Sequence, residues 1–455
     1  MVMVLDVLPK IKAFLKLLPF RSRVAELVGC CMVAFIMHLG KMSAAQAAGA
    51  VRTAGRHRAQ LIRLLGRKRL GKGDPLSAAR ELLLALECRR GKFLFIVDQT
   101  FMGQQGQKTE NTFSRANYQP RKKKGDRKQK KRAKRSCHGF VMGLLITPSG
   151  FRIPVFKPYY TQAYCEAKGR TYHTQVELAA QLIRELPVPE EADVLVLGDT
   201  AFDAKTIREA CAQRSWHWIV PLNPERVIAG AKPRPKVRSL AASLPKDGWS
   251  AVRIDPRKEG LAAYRRPSRC RIGSSQKLRT YYVQTQEVCV HSVGTVLLAF
   301  STTEKPQPDQ PVIVQKILMT NDRRLSARKL IEWYQLRWQI ELFFKEMKST
   351  LGMHHYRLRR FEKVERWVTL ALLAFCYLEW LRARQLKSKS LKAEDRQWWQ
   401  AQRTNGLCQA VRQWSSENEI EYIADALKTP FGVQRLKRQL RTAPQKEQRV
   451  RQKAA

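Results

Sequence analysis

Asp98 ends the apolar run Phe93-Leu-Phe-Ile-Val, and Asp199 ends a second one, Val194-Leu-Val-Leu-Gly. A third carboxylate, Glu341, sits in the stretch from Tyr334 to Lys348. Carboxylates drawn from separate segments suit a hard divalent cation such as Mg²⁺, which takes oxygen ligands and keeps several waters. Two such ions about 4 Å apart stabilise the arriving and leaving oxygens of an in-line displacement at phosphorus. The chemistry these residues point to is hydrolysis or transfer of a phosphodiester.

Around Glu341 the polar residues fall in a pattern. Tyr334, Arg337, Glu341 and Lys348 lie at offsets 0, 3, 7 and 14. At about 100° per residue this places them within a ~60° stripe of a helix. A carboxylate for metal then shares a face with two cations for phosphate. The plainer reading is a solvated charged face with an i,i+4 pair between Glu341 and Lys345. Tyr334 and Trp338 fit such a face poorly. A lone Asp after an apolar strand is also commonly a turn cap. Asp203 is the rival to Asp199, which is preferred because it ends the strand directly, whereas Asp203 falls where a helix N-cap belongs. His138 and His217 read as core or surface histidines, and Tyr159, Tyr160 and Trp216 as core or DNA-backbone contacts.

The elements that must position the acids follow from pattern. Continuous apolar runs before Asp98 and Asp199 are those of strands buried on both faces. His138 to Thr147 and Phe151 to Pro158, joined by Pro148-Ser-Gly, form a hairpin. Gln175 to Leu186 is helical, Asp203 to Arg214 helical, and Trp216 to Pro221 a strand. Three strands, helix, strand, helix, strand is the order of a ribonuclease-H-like core, an α/β fold with a mixed sheet. From 223 to 320 Pro, Gly and basic residues alternate with short strands (Arg279 to Thr285, Gly294 to Phe300, Val312 to Met319), a β-rich insertion. One long helix from Ser326 to Leu351 and another from Glu362 to Arg384 complete the core, spanning 91–222 and 321–386. Residues 387–455 form a basic, partly disordered tail with a weak helical stretch from Ile420 to Leu427.

The chain of 455 residues carries 85 Lys and Arg against 38 Asp and Glu, a formal net charge of +47. Such an excess calls for a polyanion, and nucleic acid gains affinity by releasing condensed counterions. Residues 1–90 read as helices: Val7 to Leu18, Val24 to Leu39, and Leu76 to Cys88. Between them a small-residue helix and a Gly-containing break lead into a segment with Arg56, Arg58 and Arg63. This resembles a helix-turn-helix with a basic second helix. The tract from Arg121 to Arg135, opening Arg121, Lys122, Lys123 and Lys124, reads as a mobile loop that grips phosphates or as a solvated charge run. Ten cysteines without a CxxC give neither a zinc nor a disulfide framework. The longest apolar run near the N-terminus, Leu27 to Leu39, falls short of the ~20 residues of a membrane span.

The string Tyr-x2-Arg-x3-Glu-x6-Lys resembles the Y-R-E-K signature of bacterial cut-and-paste insertion-sequence transposases with a DDE site. The resemblance covers roughly 91–385. It implies that Asp98, Asp199 and Glu341 bind two Mg²⁺, with Mn²⁺ as a substitute, and that Tyr334, Arg337, Lys345 and Lys348 hold phosphates. It implies a base flipped onto an aromatic, with Trp338 and Trp249 as candidates. It implies double-stranded DNA as partner, at transposon ends and target, a homodimer on that DNA, no membrane, and a cytoplasmic location. Two other readings share some features: a ribonuclease-H-like nuclease or resolvase, and a non-catalytic DNA-binding descendant of a transposase.

Overall fold

The computed structural model describes residues 7–37, 43, 47, 58–67, 69–104, 108–116, 134–230, 234–254, 279–307, 310, 312–430 and 433–434. Among the described residues four N-terminal helices come first: α1 (Val7–Lys16), α2 (Ser22–Met37), α3 (Arg58–Leu65) and α4 (Pro75–Leu84). Asp74 caps α4 by accepting from the backbone N–H of Leu76, with Pro75 at the first turn where its missing donor costs nothing.

The central sheet starts with β1 (Phe93–Gln104), β2 (Phe113–Ala116), β3 (Lys134–Ile146) and β4 (Arg152–Tyr159). Gly150, at φ 81°, makes the β3–β4 turn that the Pro-Ser-Gly signal anticipated. Helices α5 (Gln162–Lys168) and α6 (Gln175–Arg184) follow, the latter opened by a Thr174–Glu177 capping box. Then come β5 (Val194–Leu197), α7 (Lys205–Gln213) and β6 (His217–Pro221). β3 runs antiparallel to β1, β4 pairs along the other edge of β3, and β1, β5 and β6 run parallel. This mixed sheet is compatible with a ribonuclease-H-like core.

Residues 223–320 do not make a separate β layer. After the short helix α8 (Val237–Ala242), β7 (Ser250–Ile254), β8 (Arg279–Val290), β9 (Gly294–Thr302) and β10 (Lys316–Thr320) continue the same sheet, with β10 antiparallel to β6. The result is a ten-stranded sheet in the order β2-β3-β1-β5-β6-β10-β9-β8-β7, with β4 beside β3. Sequence pattern finds three of these four strands, missing β7, and does not find the edge they join, because apolar alternation carries no pairing information.

The expected single helix from Ser326 to Leu351 is divided. It forms α9 (Ala327–Gln335), capped by Ser326, and α10 (Trp338–Lys345). At the joint the N–H groups of Gln339 and Ile340 reach back only three residues, a 3₁₀ tightening. Beyond α10 the chain widens into a π turn, Glu346–Thr350, in which the Leu351 N–H reaches the Glu346 carbonyl at 3.1 Å. Next is α11 (Phe361–Lys387), buried nearly all round from Trp367 to Ala383, as expected of a helix that is apolar on every side. The tail holds more structure than its polar sequence suggests: α12 (Ala393–Ala401) and α13 (Thr404–Leu427). The N-terminal helices pack on α11, with Phe14 against Tyr377 and Phe35 against Trp367, in an apolar core shared with the sheet. Among the described residues no helix is long and apolar enough to cross a membrane.

Candidate active site

The parallel register between β1 and β5 decides where the first two acids meet. Ile96 stands opposite Leu197 in the last paired rung, so Asp98 and Asp199, each two residues on, are level with one another. Adjacent strands are about 4.8 Å apart, which puts both carboxylates on one end of the sheet centre. Asp98 accepts from the Gln99 N–H at 2.7 Å, and its side chain is 13% exposed. Asp199 accepts from the Ala201 N–H at 2.9 Å, capping a 3₁₀ turn at Thr200–Phe202. The cap and the meeting with Asp98 are thus two roles of one residue.

Glu341 reaches this end from α10. Arg337 lies between the acids: its guanidinium donates to Glu341 Oε1 at 2.6 Å and stands 3.5 Å from Asp98 Oδ2. The pairing partner of Glu341 is therefore Arg337, four residues earlier, while Lys345 is exposed. Burial, and next the Asp199 carboxylate, push the Asp98 acid up to about 6, although Arg337 pulls the other way. Burial works against the Arg337 charge too, but Glu341, Tyr334 and Asp98 outweigh it and raise its pKa.

Tyr334 is buried at the same place, its phenol pushed up to about 12 by burial, with Arg337 opposing and Asp199 and Asp98 adding to the rise. Lys316, from β10, lies over its ring at 5.0 Å. Burial and the nearby Arg337 lower the Lys316 pKa. Lys348 turns towards β1 and donates to the Phe101 carbonyl at 3.1 Å. Arg337 and Lys348 reach β1 directly, at Asp98 and at the Phe101 carbonyl, while Glu341 is held by Arg337 and Tyr334 packs under Lys316 of β10. Lys316 had no comparable signal, being one basic residue at the head of a strand.

Asp203 takes another part. Its side chain is 4% exposed and bridges Arg208 at 2.6 Å and Arg226 at 2.8 Å. It is not the N-cap of α7 either, a place held by Ala204. The rival to Asp199 is a buried structural ion pair. His138 is a core residue, with Nδ1 2.6 Å from the Tyr356 hydroxyl and Nε2 2.9 Å from the Glu110 carbonyl, and burial lowers its pKa. Trp216 is buried beneath the Arg214 guanidinium at 4.2 Å, and Tyr160 stacks on Tyr164.

Of the two candidate stacking aromatics, Trp338 is 50% exposed beside Arg337, whereas Trp249 packs half-buried just before β7. Arg63 is exposed on α3; Arg58 opens that helix. Arg56, Arg121, Lys122, Lys123 and Lys124 lie outside the described residues.

Three carboxylates at one sheet end have the chemistry of a hard-cation donor set, and burial first, with the Asp199 carboxylate next, makes Asp98 resist ionisation in the metal-free protein. Among the described residues, no three acidic, His or Cys side chains already stand close enough to hold one ion. The Arg337 guanidinium balances the acids instead.

The sequence profile of the transposase DDE domain matches residues 89–377, more than half of the chain. This chain belongs to the DDE transposase family. The match begins just before β1 and ends inside α11, so it encloses all three acids and the strands between them. No curated protein matches the chain. The transposase is thus an enzyme that acts on DNA, consistent with its net charge of +47. Members of the family generally use divalent metals.

Proposed function

We propose that this transposase serves a bacterial insertion sequence: it binds terminal inverted repeats, cuts the DNA at the ends and joins them to a target. The observation that supports this most directly is the Asp98–Arg337–Glu341 bridge beside Asp199, which brings the expected acids to one sheet end. Asp98, Asp199 and Glu341 are the residues that would hold two Mg²⁺, or Mn²⁺ in their place. When bound, those ions activate the attacking oxygen and stabilise the leaving one.

The protein's own groups do the rest. Arg337 gives up a carboxylate to meet a phosphate, for which its planar fork is equally suited. Lys345 and Lys348 supply further positive charge along the same stretch, and Lys345 is already exposed to an incoming strand. With its acid at about 12, Tyr334 keeps its proton at neutral pH. It therefore donates a hydrogen bond to a phosphate oxygen and does not attack phosphorus. Trp338 offers an exposed indole face on which an extruded base can stack, offsetting the cost of unstacking. The N-terminal helices with Arg56, Arg58 and Arg63 serve as a DNA-binding domain, the 121–135 tract adds phosphate contacts, and two protomers act on a pair of ends.

The test is Glu341→Gln with a duplex carrying the ends that flank the gene. Cleavage in Mg²⁺ is expected to vanish while DNA affinity stays within about twofold. Cleavage at the parental rate would remove Glu341 from the site.

A further inference from the structure

The side of α10 away from Glu341 is held by a buried set of charges that the catalytic reading does not use. Gln339 and Glu346 are seven residues apart, so they lie on one side of the helix, about two turns from each other. Glu341 points about 140° or more away from both. Glu346 is 8% exposed. Its Oε2 accepts from the Arg152 guanidinium at 2.7 Å and from the Thr404 hydroxyl at 2.9 Å, and its Oε1 stands 3.5 Å from Arg403. Arg403 also donates to Gln339 Oε1 at 2.6 Å.

The far side of this set is anchored in the deepest part of the molecule. Arg152, on β4, donates through Nε and Nη2 to Glu379 at 3.0 and 2.5 Å, and Arg382 donates to Glu379 Oε2 at 2.7 Å and to the Gly150 carbonyl at 2.7 Å. Glu379 is fully buried and Arg382 nearly so. Burial would raise the Glu379 acid, yet Arg152 and Arg382 hold it below its ordinary range. Opposed full charges with fixed hydrogen bonds define one geometry far more sharply than apolar contact does, because any slip leaves a buried charge unmatched.

The place where this set grips the helix is also where the helix changes pitch. The π turn begins at Glu346 itself. A turn of that kind advances less than 100° per residue, so it sets where Lys348 emerges relative to Glu341. Two segments outside the sheet centre thereby grip the back of the stretch that carries Glu341: β4 through Arg152, and the α12–α13 junction through Arg403 and Thr404.

We infer that Glu346 is a positioning residue, and that the Arg403–Thr404 junction clamps the catalytic helix through it, fixing where Glu341 and Lys348 stand relative to β1. The inference rests on the proposed role of Glu341. It makes the tail beyond 387 part of the active-site scaffold and not an appendage.

Three variants test it: Glu346→Gln, Arg403→Gln and Thr404→Val, the last removing one hydrogen bond and no charge. Amide hydrogen exchange is measured on the metal-free, DNA-free protein, together with single-turnover cleavage and DNA affinity. Exchange across 341–350 is expected to quicken at least tenfold in Glu346→Gln and severalfold in Thr404→Val, while 364–380 in α11 is unchanged. Cleavage should slow at least tenfold in Glu346→Gln with DNA affinity within twofold, and Arg403→Gln should fall between the other two. Unchanged exchange over 341–350 in all three variants overturns the inference, as does an equal rise over 364–380, which would mean general loosening. If the parent protein cuts no DNA, the proposed function fails and the exchange result still decides the clamp.

Discussion

Replacing Asp98 by Asn should make the metal-free protein more stable at neutral pH. The reason lies in the position of its acid, raised from an ordinary 3.8 to about 6 by burial and by Asp199. The folded state therefore holds this proton more tightly than the unfolded chain does. Stability from this group is fully present below about pH 4 and is lost as pH rises through 6. A difference of about two pH units corresponds to about 3 kcal/mol at 1.36 kcal/mol per unit. Asn carries no charge to destabilise, so Asp98→Asn should gain about 2–3 kcal/mol at pH 7–8, slightly offset by the lost approach of Arg337. At pH 4 the gain should shrink towards zero. Urea unfolding of both proteins with a chelator present, from pH 4 to 8, measures this. A substitution that destabilises at pH 7, or whose effect is the same at pH 4 and pH 8, would refute the idea that the fold keeps Asp98 ionised against its surroundings. The gain would also illustrate how a site poised for a cation is bought with stability elsewhere.

Asp203→Asn should cost about 3–5 kcal/mol, because it strips the shared partner of Arg208 and Arg226 from a side chain only 4% exposed. A loss under about 1 kcal/mol in urea unfolding would show that water, and not Asp203, satisfies those guanidinium groups. Gly143→Ala should destabilise by about 1–3 kcal/mol, read as a lower melting temperature. A Cβ there would sit 2.3 Å from the Phe95 ring and 2.7 Å from Val155, so an unaltered melt would mean that β1 and β3 can part freely. Tyr334→Phe should leave measurable DNA cleavage, and the parent protein should form no covalent adduct with DNA on a denaturing gel. An adduct lost in the variant would make Tyr334 a nucleophile.

How far the sequence reveals this site depends on which constraint fixes each residue. Asp98 and Asp199 are legible because buried parallel strands have continuous apolar runs, and the polar residue that ends a run marks the end of the sheet. The run of Tyr334, Arg337 and Glu341 is legible because helical spacing is regular enough to be read over about two turns. The break in that helix is not: the tight joint at Gln339 and the wide turn at Glu346 sit on tertiary anchors, Arg403 at the first and Arg152 and Thr404 at the second, that lie far away in the chain. Asp203 misleads for a similar reason. Its spacing fits a helix cap, and of its two partners Arg226 lies within the insertion, 23 residues on. The short β2, the helix α12 and the part of α13 before Ile420 escape notice because their residues are polar and gain order from neighbours. The direction of the insertion strands, into the core sheet and not beside it, is a matter of pairing that pattern alone does not encode.

That continuation of the sheet has a consequence for how the chain is made. β6 ends at Pro221 and its outer neighbour β10 starts at Lys316, a gap of 316 − 221 = 95 positions. At roughly 5–20 residues per second of synthesis, β6 waits about 5–19 s for the strand that covers it. Through that interval the edge of His217-Trp-Ile-Val-Pro221 offers open backbone donors and acceptors next to an apolar surface, the configuration that invites pairing with another chain. The same extension that completes the sheet in the finished enzyme thus leaves the nascent chain exposed, and sets a time window in which protection during synthesis matters most.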